Sequence, residues 1–232
     1  MPHPSEDTAG AFARFARDLL EQDTVDATLD EITALAVSEI EGCEYAGVSL
    51  LYQGGELTTP SSTDPIVEEA DRLQHTTGQG PGIEAISART VCVVSDLARE
   101  TRWPAFTEGA TRLGLAGMMS LQLFTHQRVL GSLNLYSTET GAFDQDSTEV
   151  GEILAAHAAV ALAAAQKSAD LHQAIRTRER IGEATGILME RYRLTNTQAF
   201  SLLVKASQKL NTKLRDIAED IVRTGDFPSG AA

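Results

Sequence analysis

Ile181-Gly182-Glu183-Ala184-Thr185-Gly186-Ile187-Leu188-Met189-Glu190-Arg191-Tyr192 reads as the far end of a long helix, and the organisation of the chain follows from where that helix begins and what comes after it. From Ser147 to Tyr192 there is no proline, and Gly182 and Gly186 are the only strong breakers after Gly151, so one continuous helix is predicted. Each of those glycines costs about 1 kcal/mol relative to alanine in a helix interior, and close approach of a partner is a reason to keep them. At about 100° per residue, Ala174, Ile181, Thr185, Leu188 and Tyr192 form a core stripe, and Arg176, Arg180, Ala184, Ile187 and Arg191 lie along its flank. Arginines spaced in this way can meet successive phosphates, with Ala184 letting the backbone come close. The alternative is that they solvate the surface and pair with Glu179, Glu183 and Glu190.

Two shorter helices follow. Thr195-Asn196-Thr197-Gln198 has the form of a capping box, opening a helix through Ala199, Phe200, Leu202, Leu203 and Ala206 to about Leu210. Asn211-Thr212 is expected to break it and cap the next, whose apolar stripe is Leu214, Ile217, Ala218 and Ile221 before Gly225 and Pro228. The result is a three-helix module that is marginal alone.

Charge divides the chain. Its formal net charge is −14, which argues against a nucleic-acid-binding surface over the whole molecule. From Lys167 onward, however, 11 Lys and Arg face 8 Asp and Glu, leaving −17 for the part before it. Between Ala174 and Arg215 the count is 9 basic to 3 acidic. Positive charge is therefore concentrated in the helical module, with Lys205, Lys209, Lys213 and Arg215 gathered around the junction of its last two helices.

Upstream, Phe12, Phe15, Ala16, Leu19 and Leu20 share one helical face, and Val25, Leu29, Ile32, Ala36, Val37 and Ile40 repeat the pattern. Strands are predicted at Tyr45 to Tyr52, returning through Gly54-Gly55 to Glu56 to Thr59, then at Val91 to Val94, Met118 to Thr125 and Leu130 to Tyr136. The last two make a hairpin around His126-Gln127. A helix from Ile66 to Gln74 precedes the glycine-rich Gly78-Gln79-Gly80-Pro81-Gly82, which lacks the Lys-Ser/Thr of a phosphate loop and reads as a turn. Helices and antiparallel strands in succession imply an α+β domain ending near Phe143. Cys43 and Cys92, the two cysteines, have no metal or C-x-x-C spacing and read as core thiols in a reducing compartment. No secretory signal is evident, and the longest apolar run, Ile153 to Ala165, falls short of the roughly 20 residues that span a bilayer. A soluble cytoplasmic protein is expected, with no membrane partner.

Val150, Leu154, His157, Ala161, Ala164, Ser168, Leu171 and Ile175 step by alternating fours and threes, the spacing of a coiled-coil seam. They predict a dimer stalk. The alternative packs the apolar side of Ile153 to Leu162 on its own sheet, and one helix has faces enough for both.

Gly80-Pro81-Gly82 with Ala85, Val93-Val94-Ser95-Asp96-Leu97, Arg102-Trp103-Pro104-Ala105-Phe106, Gly114, Gly131-Ser132-Leu133-Asn134-Leu135-Tyr136-Ser137 and Ala142-Phe143 resemble the GAF sensor domain. The Asn-Lys-Phe-Asp-Glu signature of its cyclic-nucleotide-binding members is not recognisable. Residues 170–225 resemble the ANTAR domain, the RNA-binding antitermination module of bacterial regulators, through Ile181, Ala184, Gly186, Ile187-Leu188-Met189, Arg191, Leu194, Gln198-Ala199-Phe200, Leu203, Leu214, Asp216 and Ala218. Thr185 departs from that pattern, where many members have lysine. The expected organisation is an N-terminal helix at 1–20, a GAF domain at 21–165, a stalk at 147–175 overlapping its end, an ANTAR domain at 170–225 and a disordered tail at 226–232.

The resemblance implies a non-enzymatic homodimer that binds paired stem-loops in nascent transcripts and stops a terminator hairpin from forming, in signal transduction to transcription. RNA contacts are expected from Arg176, Arg178, Arg180, Ala184, Thr185, Arg191, Lys205, Lys209, Lys213 and Arg215. DNA is not an expected partner, no metal or catalytic residue is expected, and no cofactor is implied, although a small molecule could occupy the GAF domain. Two other readings stand beside this one: a GAF-based redox sensor or enzyme using Cys43 and Cys92, and a helical DNA- or protein-docking regulator. Trp103 reads as a structural anchor for a long loop, and His157 as a packed core or interface residue.

Overall fold

The computed structural model describes residues 6–88 and 91–228. Two helices, α1 (Glu6–Leu20) and α2 (Val25–Glu39), precede the hairpin of β1 (Tyr45–Leu51) and β2 (Leu57–Ser62). Then come α3 (Pro65–Thr77), α4 (Pro81–Ala88), β3 (Val91–Val94), α5 (Pro104–Arg112), β4 (Gly117–Phe124) and β5 (Val129–Ser137). The chain ends in α6 (Gln145–Tyr192), α7 (Asn196–Leu210) and α8 (Leu214–Thr224). The class is α+β, as the sequence implies. The single long helix is also present, 48 residues without interruption.

The strands form one antiparallel sheet in the order β2-β1-β5-β4-β3. Alternation along β5 sends Leu133 and Leu135 to one face and Ser132, Asn134 and Tyr136 to the other. Leu133 and Leu135 join a core with Leu29 and Ile32 of α2, Val48 and Leu50 of β1, Met119 and Leu121 of β4, and Leu154, Ala158 and Leu162 of α6. On the other face Val67 and Ala70 of α3 and Phe106 and Ala110 of α5 pack with Cys92, Val94 and Met118. Burying a leucine or phenylalanine stabilises by about 1.5–3 kcal/mol, so both faces are strongly specified. Gly131 is obligatory where β5 crosses β1: its φ is +156°, and a Cβ there would lie 1.8 Å from the Ser49 carbonyl oxygen.

Two helices lie where the sequence reading has none. Pro81 and Gly82 open α4 rather than closing a turn, and α5 starts on Pro104 directly after Trp103, a proline position that suits a first helical residue. Trp103 is itself buried against that face.

The chain divides into compact units at Lys167 and Ser168. In the second, Leu188 and Ala184 of α6 pack with Ala199, Leu203 and Ala206 of α7 and Ile217, Ala218 and Ile221 of α8. The capping box is present, with Thr195 and Gln198 satisfying each other's backbone amides. The expected cap on α8 is not: Asn211 instead ends α7 in the left-handed conformation, and Lys213 precedes α8 without a side-chain cap. The tail needs correcting as well. Phe227 packs against the module core and Asp226 accepts a hydrogen bond from Arg191, while residues 229–232 lie outside the described residues.

An 18-residue window of α6 has a mean hydropathy of 1.3, enough by length and composition to cross a membrane. Its apolarity has a local use, because Leu154, Ala155, Ala158, Ala159, Ala161 and Leu162 are buried in the sheet's core. This corrects the seam. Leu154 and Ala161 are buried against the protein's own sheet and offer no surface to a second chain, and Val150 packs partly against the same core. His157 is half-buried, with Nδ1 2.9 Å from the Ile153 carbonyl oxygen. Ala164, Ser168, Leu171 and Ile175 are exposed, as is Val160, which the heptad reading omits.

Candidate functional site

The cations of the helical module differ in what faces them. Between α6 and α8 runs a groove of about 470 Å³ carrying Arg176, Arg180, Arg215 and Arg223, but Asp216, Glu219 and Asp220 line it too. Arg180 donates to Glu183 at 2.9 Å and lies 3.8 Å from Glu219. The hydrogen bond to Glu183, then the charge of Glu219, raises its pKa. Arg215 sits 3.1 Å from Asp216, and Arg223 pairs with Asp220. Arg191 donates to the Gly225 carbonyl and to Asp226. The sequence reading offers Glu179, Glu183 and Glu190 as the alternative partners; most of the actual ones come from α8 and the residues behind it. Arg176 donates, among the described residues, only to the neutral Gln173, at 2.9 Å. Among the described residues Arg178, Lys205 and Lys213 have no carboxylate within salt-bridge distance. Lys209 is exposed near the end of α7.

Two expected contact residues are misplaced. Ala184 is fully buried and Thr185 is 4% exposed, because both point into the interface of α6 with α7 and α8. The Thr185 hydroxyl is spent on the Ile181 carbonyl, 2.6 Å away. Neither side chain can touch RNA. Gly182 and Gly186 are exposed, and a Cβ on either would meet nothing. Tyr192, assigned to the core stripe, is instead 47% exposed at the end of α6, since Arg193 turns the chain with φ +55° before α7 can cover it.

In the first unit the polar face of the sheet is closed by its own side chains. Asp71 of α3 is fully buried and accepts hydrogen bonds from Ser49 at 3.0 Å, Thr59 at 2.8 Å, Asn134 at 2.9 Å, Gln74 at 3.2 Å and the Tyr136 hydroxyl. Gln74 in turn accepts from the Gly82 amide at 2.8 Å, and a Cβ on Gly82 would stand 2.8 Å from Asn134 Oδ1. Burial, with the Asp71 charge and hydrogen bond behind it, pushes the Tyr136 hydroxyl well above its usual pKa. His75 Nε2 lies 3.1 Å from Ser49 Oγ, and desolvation lowers its pKa against the opposing pull of Asp71. Two cross-strand neighbours, Gln122 and Ser132, bury Oε1 and Oγ without a partner among the described residues. The sequence reading missed this cluster. Its available signal was the polar alternation of Ser132, Asn134 and Tyr136 between leucines, ordinarily the mark of a solvent-facing side.

A family model described as the GAF domain matches residues 22–163, and one described as the ANTAR domain matches residues 169–222. The chain belongs to the GAF family, with an ANTAR domain following. Similar solved structures include the GAF domain of an Acinetobacter phosphoenolpyruvate-protein phosphotransferase, 11% identical at a TM-score of 0.56, covering 72% of this chain and 99% of that one. Free methionine-R-sulfoxide reductase from Neisseria meningitidis is 17% identical at 0.55, covering 72% and 97%. The GAF region of a Geobacter sulfurreducens putative membrane protein is 20% identical at 0.52, covering 65% and 96%. At these identities the likeness is one of fold. No curated protein matches the chain significantly.

The GAF domain's two thiols are buried. Desolvation pushes Cys43 up to about 12, and it pushes Cys92 up to about 11 despite the neighbouring Arg102. A thiol is a nucleophile only as thiolate, so both are poorly placed to react near neutral pH. Arg102 is otherwise occupied: it lies 4.1 Å from the centre of the Trp103 ring and holds Glu100 down to about 2, chiefly through its side-chain hydrogen bond.

Proposed function

We propose that this chain is an RNA-binding transcription antitermination regulator, a bacterial cytoplasmic homodimer that grips paired stem-loops in nascent transcripts under the control of its GAF domain. The observation that carries the reading is the ANTAR match over residues 169–222, which falls on the part of the chain where positive charge is concentrated. Arg176, Arg178, Lys205, Lys209, Lys213 and Arg215 are the proposed phosphate contacts. Arg180 and Arg191 contribute less, and Arg215 is weakened in the same way, because carboxylates hold all three. Unpaired loop bases above an A-form stem suit sequence-specific recognition, and a two-fold protein suits two loops. The exposed Leu171 and Ile175, at 56% and 53%, support pairing of two α6 helices beyond the GAF domain. That pairing would multiply weak contacts by effective concentration. A GAF ligand acts only through its preference for one arrangement of the dimer.

The test compares a two-hairpin RNA, the same RNA with mutated loops, and duplex DNA of equal charge over a range of salt. The intact RNA is expected to bind tightest. Equal binding of all three would reduce the module to a nonspecific polyanion binder. Sedimentation showing a monomer at micromolar concentration, with and without RNA, would remove the dimer.

A further inference from the structure

A second groove of the module has a different chemistry from the one between α6 and α8. It is about 540 Å³ and runs from Tyr192 at the end of α6 along α7, past Thr197, Gln198, Ser201, Leu202 and Lys205. No carboxylate lines it, whereas Asp216, Glu219 and Asp220 line the other. Its size lies within the roughly 300–1,000 Å³ of small-molecule pockets. Thr197, Ser201 and Lys205 are four residues apart and therefore form one row on the helix. Gln198 uses Oε1 to accept from the Thr195 amide at 2.9 Å and from its hydroxyl at 3.0 Å, and among the described residues its amino group has no hydrogen-bond partner.

We propose that this groove receives one unpaired nucleotide from a loop of the bound RNA, an inference that rests on the RNA-binding reading above. Tyr192 supplies the stacking face and Leu202 the apolar wall. Thr197, Ser201 and the Gln198 amino group meet the polar edge of the base or the ribose, and Lys205 meets the adjoining phosphate. Every base has a π-face, so stacking supplies affinity, while the hydrogen-bonding row selects among bases. A paired A-form stem cannot enter, because its bases are already stacked on one another. Phosphate alone would leave the tyrosine and leucine without a role. The groove gives a role to the exposed Tyr192 ring, which lies one turn beyond the fully buried Leu188.

The experiment uses the full chain and RNAs selected from a pool of two-hairpin molecules with randomised loops. Tyr192→Ala should weaken binding of the selected RNA about ten-fold or more, and Tyr192→Phe should leave it within about two-fold. Lys205→Ala should reduce the salt slope by about one unit for all sequences. With 5-iodouridine in the loop, irradiation should crosslink RNA to Tyr192, as mapped on the digested protein, and the crosslink should vanish in Tyr192→Ala. Helix content and the melting temperature of Tyr192→Ala serve as the folding control, since the ring is half exposed. If wild type binds the selected RNA, and Tyr192→Ala binds equally with crosslinks elsewhere, the groove assignment falls and the RNA reading stands. If the pool yields no binder, the RNA reading fails and takes this inference with it.

Discussion

The GAF and ANTAR domains treat charge in opposite ways. In the first, Asp71 is fully buried on the polar face of the sheet and accepts from five side chains, Ser49, Thr59, Gln74, Asn134 and Tyr136. In the second, Arg180, Arg191, Arg215 and Arg223 lie on the surface, each beside a carboxylate that solvent also reaches. A buried carboxylate is stable only when its hydrogen bonds are made, so one substitution there disturbs several partners at once. An exposed ion pair is worth about 0–1 kcal/mol and is screened by salt. The buried cluster therefore fixes the structure of the sensor, whereas the surface pairs adjust the field that an RNA would meet.

The largest expected effect tests the first half of that contrast. Asp71→Ala leaves the Ser49, Thr59, Gln74, Asn134 and Tyr136 donors facing a void and should destabilise the GAF domain by about 3–5 kcal/mol, read by denaturant unfolding. A loss under about 1 kcal/mol would mean that water replaces the carboxylate and that the site is open rather than self-closed.

Neutralising the opposing acids tests the other half. Glu183→Gln with Glu219→Gln frees Arg180 and removes two negative charges from the module, raising its net charge by two, at little cost in stability. Affinity for a two-hairpin RNA should rise several-fold at low salt, with a steeper salt dependence. Unchanged affinity would place the α6–α8 groove away from the bound RNA and leave Tyr192 and Lys205 as the side to pursue.

What was legible in the sequence follows the same division. Strands β4 and β5, helix α6 and the Thr195 capping box announce themselves through local periodicity or spacing. Asp71 does not, because a single acid on an amphipathic helix looks like a solvent-facing residue until the sheet beneath it is known to be polar. Helix α5 hides because it is short and begins on a proline that reads as loop. The seam was half misread for a similar reason. The spacing of Leu154 and Ala161 defines a helical face, but which body that face packs on is decided by the sheet. Helical spacing offers Glu183 as a partner for Arg180, which the structure shows, but Glu219 and Asp226, which complete the pairing of Arg180 and Arg191, are distant in sequence.

Thiol reactivity gives a smaller and independent check. Alkylation of native protein at pH 8 should modify Cys43 and Cys92 far more slowly than it modifies the unfolded chain, since burial keeps both protonated. Rapid native modification of Cys92 would revive a redox role for the GAF domain.

The smallest expected effect is a pH dependence at the margin of the buried cluster. His75 is half-buried, with Ser49 against its ring and Asp71 behind it, and burial lowers its pKa below the ordinary value of 6.5. The unfolded chain therefore takes up a proton first as pH falls. Stability from the neutral ring is fully present above the unfolded pKa and is lost as pH drops through 6.5 toward the lower folded pKa. Unfolding followed across this window should show the GAF domain weakening on acidification, and His75→Gln should flatten that slope while keeping a polar group beside Ser49. If the substituted protein keeps the full slope, the proton enters elsewhere. If the wild type instead gains stability on acidification, the Asp71 charge outweighs burial at His75, and the cluster is better solvated than its hydrogen bonds imply.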